Sequence, residues 1–170
     1  MLLFEFSRRS VFFGLLPMVM ACGFKPIYGK KEGATGLVAL MGKVQVASAS
    51  DRLGQTVRNN LLNDLIPYGV KSAPEYRLEF FLKKTEEGVA FERDDSVTRY
   101  NVILVATFKL TEISTGSTLA EGLVRSIAAY NVVRSEYATM SASRNAEERV
   151  AKAVSDEIQL RIALELRNYS

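Results

Sequence analysis

Residues Val97 to Thr111 alternate without a break. Tyr100, Val102, Leu104, Ala106, Phe108 and Leu110 occupy every second position. That period puts them on one face of a long strand. Ile103 and Val105 make the middle of the other face apolar too. A strand apolar on both faces is central in its sheet or touches a second partner. Two further alternating runs flank it. From Glu75 to Thr85, Tyr76, Leu78, Phe80 and Leu82 share one face, and Arg77, Glu79, Phe81 and Lys83 share the other. From Thr118 to Arg134, the small residues Ala120, Gly122, Ser126 and Ala128 share a face, so a helix can approach closely there. Gly122 marks a candidate bulge. Ser114-Thr115-Gly116-Ser117 is a tight turn, with glycine available for a positive φ.

Two helical patterns complete the frame. After a short strand around Val44 and Val46, Ser50 or Asp51 caps a helix carrying Leu53, Val57, Leu61 and Leu65 at spacings of four. Pro67 ends it. Arg52, Arg58, Asn59, Asn60 and Asn63 fall elsewhere on this helix, on an expected solvated face. Near the C-terminus, Asn145 and Glu148 have the capping-box spacing. A helix is expected from there to about Arg167, burying Val150, Ala153, Val154, Ile158, Leu160, Ala163 and Leu164. Glu148–Lys152 and Glu157–Arg161 form favourable pairs on its outside. Residues 86–96 and 135–144 read as polar connections. The expected fold class is α+β: a four-stranded mixed sheet with two helices packed on one face, in the order β-α-β-β-β-α.

The first 22 residues carry a different signal. Arg8 and Arg9 precede a short apolar run broken by Pro17, and Val19-Met20-Ala21-Cys22 follows. A charged start and a run too short to span a bilayer read as a secretory signal. Its last four residues look like a lipobox, in which a peptidase cuts after a small residue and the cysteine is acylated. Cys22 is the only thiol, so lipid attachment is placed there. Ser7-Arg8-Arg9 also opens like a twin-arginine signal, but Val11 stands where that motif wants Phe. The expected organisation is a signal peptide over 1–21, a lipidated N-terminus and tether over 22–42, and a folded domain over 43–170. Within the tether, Phe24, Ile27 and Tyr28 are the side chains able to find a pocket on the domain.

Composition narrows the chemistry. Cleavage removes Glu5, Arg8 and Arg9, so the formal net charge falls from +3 to +2. That is mildly basic, unlike the strong patch of a nucleic-acid binder. One cysteine excludes an internal disulfide, so the fold stands on packing. No histidine is present, which removes the commonest general base and transition-metal ligand. There is no Gly-rich phosphate loop and no metal-ligand cluster. Glu86-Glu87 and Asp94-Asp95 are adjacent carboxylates on an expected loop and do not face each other across a substrate. The sequence reads as a non-enzyme without cofactor other than the covalent lipid; a carboxylate-dependent hydrolase using Asp94 or Asp95 is the catalytic alternative.

Four runs resemble the LPS-assembly lipoprotein family of the alphaproteobacterial type, the lipopolysaccharide translocon plugs of the outer membrane. They are Cys22-Gly23-Phe24-Lys25-Pro26-Ile27-Tyr28-Gly29, Asp51 to Leu61 (DRLGQTVRNNL), Val97-Thr98-Arg99-Tyr100, and Tyr130 to Thr139 (YNVVRSEYAT). Asn145 stands where the family pattern wants Asp, which leaves a capping role intact. The resemblance implies a lipid-anchored protein of the cell outer membrane, facing the periplasm and the lumen of a large β-barrel. That barrel inserts lipopolysaccharide into the outer leaflet, and the lipoprotein assists its assembly and binds lipopolysaccharide itself. By analogy with lipoprotein sorting rules, Gly23 rather than Asp after the acylated cysteine fits outer-membrane delivery. Lipopolysaccharide is anionic, so basic side chains near strand ends are the binding candidates: Arg93, Arg99 and Arg134. Ile103 is placed to add apolar contact, and so is Tyr100, for which core packing is the first expectation. The expected partners are the barrel protein, lipopolysaccharide and, through the lipid, the membrane; nucleic acid is not among them. The alternative is a periplasmic lipoprotein accessory to a lipid-transport ATPase complex.

Overall fold

The computed structural model describes residues 32–66, 72–91 and 97–168. Cys22, the lipobox, Phe24, Ile27, Tyr28, Pro67, Arg93, Asp94 and Asp95 lie outside them. The elements run α1 (Glu32–Met41), β1 (Val44–Val46), α2 (Arg52–Leu65), β2 (Tyr76–Phe91), β3 (Val97–Glu112), β4 (Thr118–Asn131) and α3 (Glu136–Asn168). The fold is α+β, with one four-stranded sheet in the order β1-β2-β3-β4. β1 runs parallel to β2, and the two later pairings are antiparallel. This matches the expected order, with one helix added in front.

β3 is central, as its two apolar faces require. Val102, Leu104, Ala106, Phe108 and Leu110 are buried on the helix side with Leu78, Val124 and the inner faces of the helices. On the other side Ile103 is only 7% exposed, although no described helix covers it. Its cross-strand neighbours are Thr85 and Ile127. The same uncovered face carries Phe81 and Leu123, both well exposed.

The structure corrects four local expectations. Residues 32–41, read as part of the tether, form α1, whose Leu37 and Met41 are buried in the core. Its apolar pattern is too weak to announce a helix, and packing supplies what propensity does not. β2 continues to Phe91 instead of ending at Thr85, because β3 offers partners as far as Val97. The charged residues Lys83, Lys84, Glu86 and Glu87 are tolerated there because they are exposed. β4 closes at Asn131, before the expected end at Arg134. Finally, α3 starts at Glu136, more than two turns before Asn145. Ser135 Oγ accepts from Ala138 N at 3.3 Å, the hydrogen bond of an N-cap. Asn145 is therefore mid-helix, where its side chain accepts from Arg149.

Other local readings hold. Asp51 caps α2, accepting from Gly54 N at 3.2 Å. Gly116 has φ 72°, in the left-handed region that favours glycine. The Glu157–Arg161 pair forms at 2.9 Å, whereas Lys152 turns to Asp156 and, at 3.2 Å, to Asp64 of α2.

Gly122 is a site of close approach rather than a bulge, since it stays in register with Phe108. A β-carbon there would lie 3.2 Å from the Phe108 ring and 3.1 Å from the Arg161 guanidinium. Gly122→Val is expected to destabilise the domain by about 1–3 kcal/mol through overpacking, read as a lower urea midpoint at unchanged slope.

Two outward carbonyls of the β4 edge are taken from α3. Arg149 Nη2 donates to the Ala129 carbonyl at 2.8 Å, and Arg161 Nη1 donates to the Leu123 carbonyl at 3.1 Å. Twelve helical residues rise about 18 Å and six strand residues about 20 Å, so the two contacts stay in step. Edge carbonyls that would otherwise invite another strand are taken by charged side chains.

Candidate functional site

The two described candidates, Arg99 and Arg134, come together at one end of the sheet. Arg99 is opposite Asn131, three residues before Arg134, and the Val132 amide bonds the Thr98 carbonyl at 2.9 Å. The chain then straps back onto the first turn of α3. Thr139 Oγ1 accepts from Val133 N at 3.0 Å and donates to Val133 O at 3.1 Å. The Thr139 amide bonds Ser135 O at 3.0 Å. These bonds hold the strap while leaving Arg134 exposed at its crest. Arg99 is likewise exposed. Arg93 lies outside the described residues, as does Cys22.

The same end exposes apolar surface. Tyr137 is 77% exposed and Val133 50%, with Met140 beside them on α3. An open groove of about 760 Å³ runs between β4 and α3, lined by Tyr130, Val133, Tyr137, Ser141, Asn145 and Arg149. Its inner support is a stack of Tyr100 on Tyr130, with ring centroids 5.6 Å apart and planes 16° from parallel. Tyr100 is thus half-buried in packing, as its alternation predicts, and Ile103 sits on the uncovered face further along β3. Sequence reasoning missed Arg149 and the groove because it began α3 at Asn145. The signal available was Ser135 directly before Glu136, a cap and a first-turn acid.

Ionic contacts brace this end beneath the groove. The Tyr130 hydroxyl donates to Glu86 at 3.3 Å. Lys84 donates to Glu147 at 2.7 Å and Glu86 at 3.4 Å, and Arg52 also pairs with Glu147. The hydrogen bond to Glu147 chiefly holds the Lys84 ammonium above its ordinary value, against burial. Lys152 is raised in the same way, chiefly by Asp156. Burial, with the Glu86 charge adding, pushes the Tyr130 phenol up. All three groups hold their protons more tightly folded than unfolded. Their contribution is therefore complete below the unfolded values of 10.0 for tyrosine and 10.5 for lysine, and is lost as pH rises through the folded ones. The thermal midpoint is expected to hold up to about pH 9.5 and then fall, and Lys84→Met should flatten part of that fall.

Exposed guanidinium groups beside aromatic and aliphatic side chains suit an amphiphile bearing phosphate or carboxylate groups. No group of potential metal ligands occurs among the described residues. No described helix is long and apolar enough to cross a membrane.

The fold is one that small bacterial lipoproteins carry. A protein of Caulobacter crescentus classed as a lipoprotein matches with a TM-score of 0.66 at 20% identity, over 79% of this chain and 98% of that one. Rare lipoprotein B of Shewanella oneidensis matches with a TM-score of 0.56 at 16% identity, over 75% and 96%. A minor lipoprotein of Acinetobacter baumannii gives 0.55 at 13%, over 71% and 88%. At these identities the likeness defines the fold. No protein-family model and no curated protein sequence matches the chain.

Proposed function

We propose that this chain is an outer-membrane lipoprotein, anchored through Cys22, that plugs and assists assembly of the β-barrel inserting lipopolysaccharide into the outer leaflet. In this reading it binds lipopolysaccharide at the end of the sheet where Arg99 and Arg134 meet, without a catalytic step or a cofactor. One observation carries the proposal. Two of the runs that resemble LPS-assembly lipoproteins, Val97–Tyr100 and Tyr130–Thr139, lie side by side in a lipoprotein-type fold and build the cationic, apolar-rimmed end. A plug for a polar lumen also needs a domain that keeps its shape without disulfides, and the large buried core supplies that. Acyl chains on one cysteine contribute about 0.8 kcal/mol per buried CH₂, so more than one chain anchors stably.

The test begins with Cys22. The native chain should incorporate labelled palmitate and fractionate with outer membranes, and Cys22→Ala should do neither. Purified from those membranes, the native protein should bring down a β-barrel protein identified by mass. Palmitate on Cys22→Ala would refute the anchor. Crosslinks to an inner-membrane ATPase complex instead of a barrel would favour the accessory role.

A further inference from the structure

The two edges of the sheet are treated differently. α3 arginines occupy outward carbonyls of β4, but nothing described does so at β1. Lys43 O and Ala47 N bond β2, at 3.3 Å to Tyr76 N and 2.9 Å to Leu78 O. In a parallel pairing, the N–H and C=O of Val44 and Val46 then point the other way. Among the described residues they meet no partner. Along this edge lies a groove of about 290 Å³, walled by Arg58 and Leu62 of α2, one helical turn apart, and by Ile66, the residue that caps its C-terminal end. Arg58 departs from its expected solvated face: its Nε is shielded from solvent and lacks a hydrogen-bond partner. Lys43, the other cation in the groove, is already paired with Glu75 at 2.6 Å.

We propose that the β1 edge and the Arg58 groove form a docking site for an extended segment of a partner protein that carries an acidic side chain two positions from an apolar one. The edge offers alternating donors and acceptors, which another backbone matches and a lipid or sugar does not. An added strand would lie about 4.8 Å from β1, with alternate side chains rising toward α2. Same-face residues on that strand are spaced about 6.6 Å, against about 6 Å from Arg58 to Leu62 along the helix. A carboxylate opposite Arg58 therefore places an apolar neighbour on Leu62. The proposal is independent of the lipopolysaccharide reading.

The whole chain, isotope-labelled and in detergent, is mixed with the peptide Lys-Thr-Val-Glu-Thr-Leu-Thr-Lys, blocked at both ends, or its Glu→Gln counterpart. The Val44 and Val46 amides should exchange rapidly in the free protein and at least about tenfold more slowly at saturating Glu peptide. The Gln peptide should bind at least about fivefold more weakly, and Arg58→Met should abolish that difference. Four results would overturn the proposal. They are no slowing at millimolar peptide, equal binding of both peptides, protection already present in the free chain, or protection that rises with protein concentration alone. The last two would mean that the chain itself, or a second copy, covers the edge.

Discussion

Ile162→Ala and Leu166→Ala should each lower the stability of this domain by about 2–5 kcal/mol, whereas Leu160→Ala and Leu164→Ala should cost under about 1 kcal/mol. All four residues lie on the last third of α3, within seven positions. Ile162 and Leu166 are fully buried, while Leu160 and Leu164 are 41% and 37% exposed. Deleting a buried branch loses its transfer free energy and leaves a cavity; trimming a half-wet one does neither in full. Domain stabilities are only about 5–15 kcal/mol, so either buried change removes a large share. Urea unfolding of the four variants checks the ranking. Equal losses for Leu164→Ala and Ile162→Ala would mean that the helix is rotated from the orientation described.

Reversing the charge at Arg99 and Arg134 together should weaken binding of purified lipopolysaccharide by about 100-fold. A hydrogen bond to a charged group contributes about 1.5–3 kcal/mol, and two lost at the lower bound give that factor. Both side chains are exposed, so the thermal midpoint should barely move. Lys109→Glu is the control, since Lys109 is exposed on the uncovered face, opposite Glu79 and Glu121. It should change affinity far less than the Arg99/Arg134 pair. Undiminished affinity in the double reversal would place the lipopolysaccharide site elsewhere.

The strands were legible because their signal is local and regular. β3 alternates over its whole length, and its double apolar character foretold a central place. Asp51 and Gly116 were legible because each performs a job few residues can do. The face of α3 was not, because apolar residues occur all around it. Leu160 sits about 200° around the helix from Ile158. The buried row instead follows Ala146, Val150, Val154, Ile158, Ile162 and Leu166 in steps of four. Successive members drift about 40°, so the row winds round the helix. Small companions such as Ala151 and Ser155 reveal its path only once α2 is in place, where Ser155 Oγ donates to Ala151 O at 2.8 Å and Val57 O at 3.3 Å. The start of α3 was hidden by the polar stretch after Ser135, which helix propensity alone does not commit. Of the candidate site, the sequence yielded Arg99 and Arg134 by their nearness to strand ends. Their neighbourhood depends on strand register, which no local pattern encodes.

Arg149 and Arg161 have a consequence for assembly. A fibre of identical molecules grows only if each one offers a vacant rim to the next on both sides. With guanidinium groups on two carbonyls of the β4 rim, a strand-to-strand union through β1 is expected to end with a single join. A sheet so capped suits one companion strand at β1 rather than a growing row of them.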